Sequence, residues 1–144
     1  MALDEVADIT SRFHHVGFVV RNIDESVARF TRSVNGSWNG AVFEDPIQKV
    51  KVTFLSTPAS EVQIELVEPA TADSPVRAFL EKGGGLHHLC YEVKDCEKAL
   101  LGVRQNGGSI VRRAKPAVAF GGRNIAWALT RDKLLIEFLD EALR

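Results

Sequence analysis

Residues 13–20 run Phe-His-His-Val-Gly-Phe-Val-Val and stop at Arg21-Asn22-Ile23-Asp24. A short run of β-branched and aromatic residues closed by a polar turn with a capping residue predicts a strand followed by a helix. Ile23, Val27, Phe30 and Val34 then recur at spacings of 4, 3 and 4, which places them on one helical face. Extended segments are expected next at 37–43, 50–56 and 62–68. The same order returns later in the chain. His87-His88-Leu89-Cys90-Tyr91-Glu92-Val93 reads as a strand and Lys94-Asp95 as its turn. Cys96, Ala99, Leu100 and Val103 mark the helical face, Asn106-Gly107-Gly108 ends the helix, and extended segments follow at 109–113, 124–130 and 134–139.

Each half therefore reads strand, helix, strand, strand, strand. The pattern predicts an α+β fold: two tandem βαβββ modules, about 13–69 and 86–140, in a single domain over 1–144. A linker helix is expected over 73–82, opened by Asp73-Ser74-Pro75 and carrying Val76, Phe79 and Leu80. Gly83-Gly84-Gly85 follows it and precedes a strand, so it reads as a helix terminator rather than a phosphate cradle.

The polar residues inside these strands carry the chemistry. All four histidines fall in two doublets, His14-His15 and His87-His88, 73 residues apart. Glu65 and Glu137 each sit mid-strand among apolar residues, 72 apart. A buried acid needs a partner, a hydrogen bond or a metal. Strand side chains alternate between faces. Alternation puts His14 with Val16, Phe18 and Val20, and His15 on the other face with small Gly17 and Val19. Ile64 and Leu66 oppose Glu65; Leu89, Tyr91 and Val93 oppose His88; Leu134, Ile136 and Phe138 oppose Glu137. If the greasier faces pack under the helices, His15, Glu65, His88 and Glu137 share the concave face. A single strand doublet is better read as packing, but four matched positions in two repeats point to a metal. Two imidazoles and two carboxylates suit a divalent cation of the Co, Mn, Ni, Zn or Fe type, with water completing the shell. Spacing alone does not choose between the histidines of a doublet; parity favours the second.

Composition narrows the partners. The formal charge is −1 over 144 residues, with no basic excess at either end, which argues against nucleic acid or a membrane surface. No apolar run approaches the roughly 20 residues of a membrane span, and Met1-Ala2-Leu3-Asp4-Glu5 has no apolar signal core. The two cysteines, Cys90 and Cys96, are not in a Cys-x-x-Cys arrangement, which suits a reducing cytoplasm. The expected partner is a small molecule.

His15-Val16-Gly17-Phe18-Val19-Val20, Glu65-Leu66-Val67-Glu68-Pro69, Asp73-Ser74-Pro75-Val76-Arg77-Ala78-Phe79-Leu80, Gly84-Gly85-Leu86-His87-His88-Leu89 and Leu135-Ile136-Glu137 together resemble the vicinal oxygen chelate (glyoxalase-like) superfamily, and within it the methylmalonyl-CoA epimerases. The resemblance implies a curved mixed sheet enclosing a metal-binding cleft, with metal ligands at His15, Glu65, His88 and Glu137. It also implies a divalent metal that chelates two substrate oxygens and stabilises an enediolate-like intermediate, with Glu137 as ligand and catalytic proton acceptor. An acyl-CoA substrate and a homodimer are implied as well. The chain departs from the epimerase pattern at Pro46-Ile47-Gln48-Lys49-Val50, where Ile47 replaces the Glu that would be a second base. It departs again at Ala128-Leu129-Thr130-Arg131, where a His-Pro is usual. A glyoxalase-type lyase, or a non-catalytic binding or resistance protein with an aromatic cleft built on Trp38 and Trp127, stays open; an extradiol dioxygenase fits less well. Arg112-Arg113, Lys115 and Arg123 are candidates for meeting an anionic substrate, and Cys90 for lining the pocket.

Overall fold

A computed structural model describes residues 11–142; residues 1–5, read above for a signal segment, lie outside them. The elements in chain order are β1 (Ser11–Val19), α1 (Ile23–Val34), β2 (Ser37–Asp45), β3 (Val50–Ser56), β4 (Gln63–Pro69), α2 (Arg77–Glu81), β5 (Gly85–Val93), α3 (Cys96–Gln105), β6 (Ser109–Pro116), a 3-10 turn (Val118–Phe120), β7 (Asn124–Leu129) and β8 (Leu135–Asp140). The eight strands form one open, curved, mixed sheet in the order β2-β3-β4-β1-β5-β8-β7-β6. At its centre β1 runs antiparallel to β5, while β1–β4 and β5–β8 are parallel. Each strand of the first half thus has its counterpart at the mirrored place in the second, as the α+β repeat predicts.

Local chemistry sets the helices. Asn22 caps α1 by accepting from Glu25 N, and Asp95 caps α3 by accepting from Glu97 N and Lys98 N. The last strand of each half supplies a further acid: Glu68 Oε1 accepts from Ile23 N, and Asp140 Oδ1 from Cys96 N. Helix α2 starts only at Arg77, because the residues from Asp73 form turns. Gly84 follows it at φ 69°, where a Cβ would lie 2.7 Å from the Val19 carbonyl oxygen; the glycine run is a terminator packed against β1.

Both sheet faces are buried. On the convex side Ile23 and Val27 of α1 pack on Leu55, Leu66, Phe18 and Ile64, and Ala99 and Leu100 of α3 on Val93, Ala126, Ala128 and Phe138. On the concave side lie Val19, Val50, Val52 and Val67, and across from them Cys90, Phe120, Ile125 and Leu139. Curvature brings the far ends of the sheet together: Val118 N donates to Asp45 Oδ2 at 2.9 Å. No helix among the described residues is long and apolar enough to cross a membrane.

Candidate metal centre

His15 on β1, Glu65 on β4, His88 on β5 and Glu137 on β8 converge on the concave side, at 0%, 4%, 2% and 2% exposure. His15 Nε2 lies 3.4 Å from Glu65 Oε1 and 3.0 Å from Glu137 Oε1. His88 Nε2 lies 3.2 and 3.4 Å from the same two atoms, and the two Nε2 atoms are 3.3 Å apart. Separations of this size are those expected between ligands of one divalent metal, which bonds imidazole nitrogen and carboxylate oxygen at about 2.0–2.2 Å. Glu137 Oε1, although close to both imidazoles, is buried with no hydrogen-bond partner. An oxygen in that position is what a cation would satisfy.

The first histidines of the doublets are not where simple alternation puts them. In the β1–β5 ladder Phe13 faces Tyr91 and His15 faces Cys90, so His14 has no register partner. Gly17 faces His88 and Phe18 faces Leu86, which leaves His87 without one too. Each doublet therefore contains a β-bulge, an extra residue that turns its side chain and re-aims its neighbour. His14, expected beside Val16 and Phe18 under α1, instead lies edge-on to Phe120 at 5.6 Å, with its Nδ1 2.8 Å from Nδ1 of His15. His87 Nδ1 stands 2.8 Å from Nδ1 of His88 in the same way. When His15 and His88 donate through Nδ1, their Nε2 lone pairs face the centre, the form a metal ligand needs.

Burial disfavours charge on His15, but Glu65 and Glu137 outweigh it and push its pKa up to about 10. The same opposition raises His88. Burial would raise both carboxylates, yet the two imidazoles hold Glu65 and Glu137 below the usual range. Two buried negative charges are thus matched either by two imidazolium protons or by one divalent cation with neutral imidazoles. Desolvation, then His15, lowers His14; desolvation, then His88, lowers His87 to about 4. Both stay neutral acceptors. His14, His15 and Cys90 form an overlapping trio, but burial, then Glu137 and Glu65, push the Cys90 thiol up and make it a poor ligand.

Gly17 makes room for this arrangement: a Cβ there would lie 2.1 Å from His88 Cε1. Aromatic rings frame the centre: Trp127, already a cleft candidate in the sequence, and Phe54 and Phe120, which the site reading did not single out. Phe54 meets His15 edge-on at 5.5 Å, Trp127 meets His88 at 4.7 Å, and Phe120 stacks on His15 at 5.9 Å. Phe54 lies 73 residues before Trp127, the histidine period, so the repeat itself was a signal for it. Phe120 has no such counterpart. A pocket of about 160 Å³ opens beside the cluster, walled by Val50, Val52, Val67, Phe120 and Trp127. Trp38 does not line it; it packs under α1 and donates to Thr53 Oγ1 at 2.7 Å. Among the basic candidates, Arg113 pairs with Glu97 and Arg123 with Glu92, and Arg112 lines the pocket.

The profile of the Glyoxalase/Bleomycin resistance protein/Dioxygenase superfamily matches residues 14–127. The chain belongs to this superfamily. An ethylmalonyl-CoA/methylmalonyl-CoA epimerase of Cereibacter sphaeroides is 31% identical over 123 residues, covering 84% of this chain and 90% of that protein. A hypothetical protein of Bacillus halodurans superposes with a TM-score of 0.80 at 27% identity, covering 94% of this chain and 97% of the other. A methylmalonyl-CoA epimerase of Mycobacterium tuberculosis superposes at 0.77 with 24% identity, covering 91% and 88%, and shares the fold. Members of this superfamily typically bind a divalent metal, and the chain brings together a His/Glu cluster that could hold one.

Proposed function

We propose that this protein is a metal-dependent isomerase of acyl-CoA esters. It acts on the proton at the carbon between a thioester carbonyl and a carboxylate, and His15, Glu65, His88 and Glu137 hold one divalent cation. The reading is carried by the buried pair of imidazoles and pair of carboxylates around a point that Glu137 Oε1 faces without a hydrogen-bond partner. The Cereibacter sphaeroides relative, named for ethylmalonyl-CoA and methylmalonyl-CoA, supports the substrate class.

A bound divalent ion supplies Lewis acidity, which favours negative charge as it develops on substrate oxygen. The chain's own residues supply the rest. His14 and His87 fix the tautomer and tilt of His15 and His88. Phe54, Phe120 and Trp127 keep water from the cluster, and the valine walls accept a short alkyl group. Glu137 takes the α-proton. Ile47 is 47% exposed on the β2–β3 turn, and both carboxylate oxygens of Asp45, the one acid of the pocket lining outside the four donors, accept from backbone N–H groups. Proton traffic thus runs on the face served by Glu137, and exchange with solvent outpaces inversion.

The test is elemental analysis of the purified protein, then incubation with methylmalonyl-CoA in D2O. Stoichiometric metal with deuterium entering the α-position faster than configuration is lost is the expected result. Stoichiometric metal without exchange would overturn the reading in favour of a lyase or binding role on the same fold, and a protein that takes up no metal would remove its basis.

A further inference from the structure

The pocket holds one more buried polar group whose hydrogen-bonding capacity is unmet. Gln48, on the β2–β3 turn, is only 6% exposed and lines the pocket together with Arg112. Its Oε1 accepts from Arg112 Nη1 at 3.2 Å, across 64 residues of sequence. A guanidinium can only donate, so this contact decides which end of the amide faces Arg112. Nε2 is left buried with no hydrogen-bond partner. Burying an unpaired amide is unfavourable, and such groups persist where a ligand completes them. The turn gives Gln48 little freedom to swing out. Asp45 Oδ1 accepts from Ile47 N and Gln48 N, each at 2.9 Å, and Asp45 Oδ2 from Val118 N at 2.9 Å. The same three bonds hold the Asp45 carboxylate to the turn and to the start of the 3-10 segment, and it makes no ion pair with Arg112. Among the described residues Arg112 is the only arginine or lysine of the lining, and its one polar contact is Gln48.

Gln48 Nε2 and the Arg112 N–H groups that Gln48 Oε1 does not take up therefore border one cavity, one donor neutral and the other cationic, with no acceptor answering them among the described residues. We propose that Gln48 Nε2 and the Arg112 guanidinium form a recognition pair for a carboxylate of the ligand, and so select acids over their neutral analogues. A planar carboxylate, with two oxygens and several lone pairs, suits an amide and a guanidinium side by side. The inference rests on this pocket being the ligand site of the proposed function, and not on turnover.

The test is an NMR titration of the full ¹⁵N-labelled chain with methylmalonate, with its uncharged dimethyl ester as control. Methylmalonate should shift the Gln48 side-chain amide pair, identified by its absence in Gln48→Leu, and the ester should leave it in place. Arg112→Met should bind methylmalonate at least about tenfold more weakly, the loss of one charge-assisted hydrogen bond, with Arg112→Lys recovering part of it. Gln48→Leu should unfold at no lower temperature than the parent, which separates weakened binding from misfolding. An unmoved amide pair, or equal affinity in both variants and the parent, would overturn the proposal. A chain that passes this test but exchanges no α-proton would lose the isomerase reading and keep the carboxylate pair.

Discussion

The two halves of the molecule do the same thing up to the metal centre and different things beyond it. His15 and His88, Glu65 and Glu137, the bulged His14 and His87, and the edge-on Phe54 and Trp127 are counterparts one repeat apart. So are the helix-capping pairs, Asn22 with Glu68 and Asp95 with Asp140. Outside this frame the symmetry fails. Only the first half has a turn bearing Gln48, and only the second sends a ring, Phe120, across to stack on the opposite histidine. Even the strand centre differs, because Gly17 lies under His88 whereas its counterpart Cys90 faces His15. What is duplicated builds a cage, and what is not duplicated shapes the space beside it. A single asymmetric substrate requires that second part.

The symmetric ligands give the sharpest test of this division. Glu137→Gln should lower α-proton exchange by about 10²–10⁴-fold while metal is retained, as removal of a general base does. Glu65→Gln, at the equivalent place, should weaken metal retention and leave exchange near normal once metal is in excess. Equal losses of exchange in the two metal-saturated variants would make the carboxylates equivalent and break the comparison.

The strand centre comes next. Gly17→Ala drives a methyl into the His88 ring, so elemental analysis should find well below one metal per chain. Cys90→Ala removes a small buried group and should cost only about 1 kcal/mol in denaturant unfolding, with metal content intact. The bulged histidines should follow. His14→Ala and His87→Ala are each expected to loosen metal by about 10–100-fold, read by chelator competition, because the ligand rings lose the partner at Nδ1. A fall of that size in one variant only would show that the bulges are not equivalent. The smallest effects belong to the caps. Asn22→Ala and Asp95→Ala should each destabilise by about 1 kcal/mol, and the two should add in the double variant because they sit on separate helices.

Legibility followed the range of the interactions. His15, Glu65, His88 and Glu137 could be placed on one face because alternation is a property of a single strand, and the repeat supplied a second copy to check it against. The helix starts at Ile23 and Cys96 were legible for the same reason: Asn22 and Asp95 bond to backbone groups two or three residues away. His14 was misplaced because a bulge belongs to the pairing of two strands. Nothing in His14-His15 taken alone says which residue of β5 it will skip. Arg112 was one basic residue among several until the fold set Arg113 and Arg123 against Glu97 and Glu92 on other surfaces.

By itself, then, the sequence determined the α+β repeat, the capped helices and the four polar residues that a strand's two-residue period delivers to one side. These depend on steric and hydrogen-bonding preferences acting over a few residues. The tertiary structure alone decided that the two halves face each other across β1 and β5, that their donors close to 3.0–3.4 Å, and that Phe120 covers one histidine. It also decided that Gln48 meets Arg112 and keeps an unpaired amide in the pocket. Those features rest on register and curvature, which are fixed only when distant segments pack and bury their apolar faces together.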